Sequence, residues 1–68
     1  MDPNANLIEQ ERILDALADF VVPMNASTEN GHRRRLRELR RALKGWIGSG
    51  GFAPEWVKAP RASVYFGQ

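Results

Sequence analysis

The 68 residues predict an all-α fold, an antiparallel two-helix hairpin with an aromatic, Pro/Gly-containing C-terminal tail packed on it. Three observations carry this expectation. Apolar residues recur at helical steps in two blocks, Leu7 to Val21 and Leu36 to Ile47, and in neither block do they alternate as a strand requires. The turn-forming stretch "PMNASTEN" lies between the blocks and leaves only a short connection between the two expected helices, which makes them antiparallel. Finally, five of the six aromatic residues lie from residue 46 onward, a composition that disordered tails avoid.

Helix 1 is expected over about residues 3–21. Asp2-Pro3 suits a helix opening, because the carboxylate accepts from free backbone amides and proline fits the first helical position. Asn6 with Glu9 three residues later is a second candidate start. Leu7, Leu14, Leu17 and Val21 form the apolar stripe, widened by Ile13 and Phe20, and Pro23 disfavours helix at Val22. Helix 2 is expected over about residues 28–48, with Ser27 or Thr28 as its cap and Glu29 offsetting the charge of the arginines that follow. Leu36, Leu39, Leu43, Trp46 and Ile47 fall within a sector of about 100°, with His32 at its centre. In "GSGG", Gly48 or Gly50 can take the left-handed position that ends the helix.

The remaining residues, 49–68, form the tail of what reads as one small domain. "PEWV" suits a single helical turn and "RASVYF" an extended segment. Two amphipathic helices bury one seam and leave their outer apolar edges wet, so a third layer is needed. The tail supplies it by folding back, or another chain does, a second copy in a homodimer included. A chain of this length buries only about 60% of its unfolded surface, and without cysteine it has neither disulfides nor thiolate zinc to compensate.

Charge is segregated. The first 22 residues carry five acids against Arg12, whereas residues 23–50 carry seven bases against Glu29 and Glu38. On helix 2, Arg33, Arg34, Arg37, Arg40, Arg41 and Lys44 share one sector of about 120° that contains no acid. Arginine grips phosphate in a two-pronged fashion, so this face suits nucleic acid or an acidic partner. The same face is also an ordinary solvated one. On helix 1, Glu11, Asp15 and Asp19 form a ridge expected to meet the basic flank, neutralising Arg33 and Arg40 and leaving Arg34, Arg37 and Arg41 free. The stretch "PRASVYFGQ" is similar to the opening of recognition helices in helix-turn-helix domains; no family is assigned on it.

No catalytic constellation stands out, and the single histidine has no metal-ligand spacing around it. Asn25-Ala26-Ser27 matches a glycosylation acceptor without a secretory context. The N-terminus lacks a basic, apolar leader and no stretch is long enough to span a bilayer, which places the protein in the cytoplasm or in an assembly formed there. The function expected is therefore non-enzymatic, without cofactor, metal or small-molecule substrate. The leading reading is a protein-interaction module, an adaptor, regulator or assembly component of the kind found among phage and mobile-element products. Its contact residues are Trp46, Phe52, Trp56, Tyr65 and Phe66. The alternative is nucleic-acid binding through Arg34, Arg37, Arg41 and Lys44.

Overall fold

Asp2 opens the first helix as its residue type predicts. In the computed structural model, which describes residues 1–19 and 25–68, its Oδ1 accepts from the backbone N–H of Asn4 at 2.9 Å and of Ala5 at 3.2 Å. Helix α1 runs Pro3–Ala18 and ends at Asp19, whose backbone is extended (φ −82°, ψ 113°). It is thus shorter than the expected 3–21; Phe20, Val21, Val22, Pro23 and Met24 lie outside the described residues.

Helix α2, Ala26–Gly48, begins earlier than expected. Asn25, not Ser27 or Thr28, is the cap: its backbone is extended and its Oδ1 accepts from Thr28 N–H at 2.8 Å, satisfying an amide that has no partner inside the helix. The helix closes at Gly50 (φ +92°), with the Gly50 and Gly51 N–H groups donating back to the carbonyls of Ile47 and Trp46. Both bonds together satisfy carbonyls that the helix end would leave bare.

The two helices are antiparallel, as the short connection implied. Asn6 Nδ2 donates to the Leu39 carbonyl at 3.1 Å and Arg35 Nε to Glu9 at 2.7 Å, so numbers rise along one helix as they fall along the other. Ile13, Leu36 and Leu39 form one end of the seam; Leu7 and Leu43 form the other with Ala59 and Ala62 from the tail. Leu14 packs on both clusters and joins them. The seam also holds two amides. Gln10, 0% exposed, donates through Nε2 to Asn6 Oδ1 at 2.6 Å, and its Oε1 has no partner among the described residues.

The tail packs on this hairpin as a third layer. Glu55 N–H donates to Asn4 Oδ1 at 2.7 Å, tying the tail to the start of α1. Trp56–Lys58 forms one 3₁₀ turn, close to the turn expected at "PEWV". The "RASVYF" segment is not extended: Pro60–Val64 is a short helix, α3. Pro60 is preset for the first helical position. Ala59 and Ala62, both 0% exposed, are small enough to bring the backbone against Leu7 and Leu43. Gly67 (φ +78°) then ends the segment through N–H bonds from Gly67 to Val64 and from Gln68 to Ser63. Ala62 and Ser63 are buried, and α3 is only five residues long. Among the described residues, no helix is long and apolar enough to cross a membrane.

Candidate functional site

The docking of α3 decides where the charges go. Ala59 has no side chain with which to cap α3, and Glu11 of α1 does so instead, accepting from Ala62 N–H at 2.8 Å and Arg61 N–H at 3.4 Å. Asp15 pairs with Arg61 at 3.1 Å. Glu11 and Asp15 of the acidic ridge therefore face α3, and among the described residues no ion pair joins either of them to Arg33 or Arg40. Among the described residues, the ion pair between α1 and α2 lies on the opposite flank, where Arg35 meets Glu9 at 2.7 Å and also reaches Glu38 at 3.5 Å. That hydrogen bond from Arg35 is the main cause holding the Glu9 carboxyl below its usual range and the Arg35 guanidinium above its own.

With the acids of α1 engaged elsewhere, the basic face of α2 keeps its charge. Arg33 pairs with Glu29 at 2.8 Å. Among the described residues, no ion pair involves Arg34, Arg37, Arg40, Arg41 or Lys44. The C-terminal end of α3 brings Tyr65 beside this face. The Arg40 guanidinium carbon stands 4.1 Å from the Tyr65 ring centroid and Lys44 Nζ 5.4 Å from it, both within cation–π range. Arg40 Nε is buried with no acceptor among the described residues.

The result is a concavity of about 530 Å³ lined by Arg33, Leu36, Arg37, Arg40, Arg41, Lys44 and Tyr65, with no acidic side chain in its wall. Its cations follow the i, i+4, i+7, i+8, i+11 positions of α2, about 16 Å of helix axis from Arg33 to Lys44. Across Lys44 and Tyr65 it adjoins a second hollow of about 360 Å³, lined also by Ile47, Gly48, Trp56, Phe66 and Gln68. Phe66 meets Tyr65 edge-on at 5.1 Å and Trp56 at 5.4 Å between ring centroids.

Arg37, Arg41 and Lys44 line the groove together; Arg34 is exposed but is not part of its wall. Arg40 and Tyr65 meet in the groove's lining, whereas the charge pattern alone predicts Arg40 neutralised by the acidic ridge. Its position between Arg37 and Lys44 at steps of three and four was the available signal. Of the five aromatics, Trp46, Trp56 and Phe66 are half-buried against the core cluster. Trp46 also donates its indole N–H to the Phe52 carbonyl at 2.9 Å, with the Phe52 ring edge-on at 5.6 Å. Phe52 and Tyr65 remain exposed, at 65% and 48%. His32 is half-buried near the start of α2. Among the described residues, no group of three His, Cys, Asp or Glu side chains could hold a metal. No known protein family, curated protein or solved structure matches the chain.

Proposed function

We propose that this chain is a non-enzymatic binding protein whose groove along α2 holds the phosphate backbone of a nucleic acid. The observation that carries the reading is the wall of the groove: four cations without an acidic partner among the described residues, Arg37, Arg40, Arg41 and Lys44, ranged along one concave face beside an exposed tyrosine. Like charges held this close repel one another, and an incoming polyanion relieves that repulsion. Arginine adds paired N–H donors suited to phosphate oxygens.

The test is fluorescence anisotropy of labelled DNA and RNA titrated at two salt concentrations. Four phosphate contacts give a slope of log K against log salt near −3 for a single strand and about −3.6 for a duplex. A fourfold rise in salt then weakens binding by roughly 50- to 150-fold. Arg37→Glu with Arg41→Glu is expected to abolish binding while the far-UV circular dichroism stays that of the parent. Absence of binding at low salt refutes the reading.

A protein-interaction role is the second reading, and the exposed apolar side chains favour it. Phe52 is 65% exposed and Val57 90%. It predicts a mass in solution above 7.7 kDa, or a partner lost on Phe52→Ser, with folding intact.

A further inference from the structure

The adjoining aromatic hollow has no role in gripping phosphate, and its position gives it one. We infer, resting on the nucleic-acid reading above, that the ligand is a single strand whose phosphates lie along Arg37, Arg40, Arg41 and Lys44 while an unpaired base enters the hollow beside Trp56, Tyr65 and Phe66. Three features favour a strand over a duplex.

The cations line a concavity, whereas a helix that reads a duplex presents its basic residues on a convex crest that enters the major groove. Tyr65 belongs to the same lining, so these cations do not stand clear of their neighbours as the residues of such a crest do. A flexible single backbone follows the floor.

The hollow continues the groove directly. Lys44 and Tyr65 belong to both walls, so a strand passing Lys44 has its next base at the mouth of the hollow. Trp56, Phe66 and Ile47 line the hollow, and it contains no acidic side chain. That chemistry suits the flat, apolar face of a base, and bases inside a duplex are already stacked and cannot reach it.

Two contacts hold Tyr65 in this position. Arg40 covers it at 4.1 Å and Phe66 abuts it at 5.1 Å. A ring fixed in this way stacks with little further loss of side-chain freedom. Phosphate and base are common to DNA and RNA, so either strand suits the site.

The experiment compares four probes on the full chain by competition at constant salt: an oligothymidylate, an oligouridylate, a duplex of equal length, and an abasic strand of equal charge. Polyglutamate of equal charge is the control for a general acidic partner. The two base-bearing strands are expected to bind about 5- to 150-fold more tightly than the abasic strand, the range that stacking one base gives. In a Trp46→Phe background, Trp56 emission is expected to be quenched by the base-bearing strands and not by the abasic strand. Equal affinity for the base-bearing and abasic strands, or a preference for duplex, overturns this inference and leaves the phosphate groove standing. Polyglutamate binding as tightly as the strands overturns both readings in favour of an acidic protein partner, and no binding by any probe overturns both. The affinity comparison uses the unaltered protein, so it does not depend on how any variant folds.

Discussion

Replacing Glu11 with alanine asks whether one carboxylate on α1 holds the whole tail in place. Glu11 accepts from two amides at the start of α3, one close at 2.8 Å and one long at 3.4 Å, and Ala59 offers α3 no cap of its own. A hydrogen bond to a charged group contributes about 1.5–3 kcal/mol when well made. The Glu11 side chain is partly open to water and the second bond is long, which brings the net figure to about 1–2 kcal/mol, the range for losing a helix N-cap. A chain of 68 residues has about 3–10 kcal/mol of stability in total. At about 4–8 °C per kcal/mol, the melting temperature of Glu11→Ala is expected to fall by about 5–15 °C. Glu11→Gln retains one acceptor oxygen without the charge, and falls between the variant and the parent. Asp15→Asn removes only an exposed pair with Arg61, and costs no more than about 1 kcal/mol. Thermal unfolding followed by circular dichroism measures all three, and tryptophan emission reports on the tail through Trp56. Equal melting temperatures for Glu11→Ala and the parent, or a larger loss in Asp15→Asn than in Glu11→Ala, would refute the capping argument.

Leu43, 0% exposed where α1, α2 and the tail meet, is expected to cost about 2–5 kcal/mol as Leu43→Ala, enough to unfold much of the population; urea titration measures it. A Cβ at Gly51 would fall on the Trp46 indole, so Gly51→Ala is expected to destabilise by about 1–3 kcal/mol and to shift tryptophan emission. A Cβ at Gly45 meets nothing within 4 Å inside α2, so Gly45→Ala is expected to stabilise by about 0.5–1 kcal/mol; similar melting temperatures for these two variants would contradict both assignments. Arg35 lowers the Glu9 carboxyl pKa in the folded state, so this pair's contribution is complete above the ordinary carboxylate range and is lost as pH falls through the lowered value. Urea midpoints against pH are expected to fall less steeply on the acid side in Glu9→Gln, and parallel profiles would count against it.

What the sequence determined by itself was what local physics controls. Helical spacing of Leu7, Leu14, Leu36, Leu39 and Leu43 requires only that each helix bury one side, and these residues do form the seam. Asp2 before Pro3, and Gly50 after the last periodic residue, act through bonds made within a few residues of themselves. The basic face of α2 was legible for the same reason, since Arg37, Arg41 and Lys44 are placed by helical geometry alone. Tertiary structure decided the rest. "RASVYF" has too few residues to show a period, and its helix is fixed by Glu11, 51 residues away, and by two alanines that fit against Leu7 and Leu43. The docked helix takes up Glu11 and Asp15, so Arg40 meets Tyr65 in place of a carboxylate. Gln10, on the apolar stripe by position, is accommodated through Asn6. The candidate site thus consists of one wall that helical periodicity fixes and one, Tyr65 with its aromatic neighbours, that exists only once residues far apart in the chain have packed together.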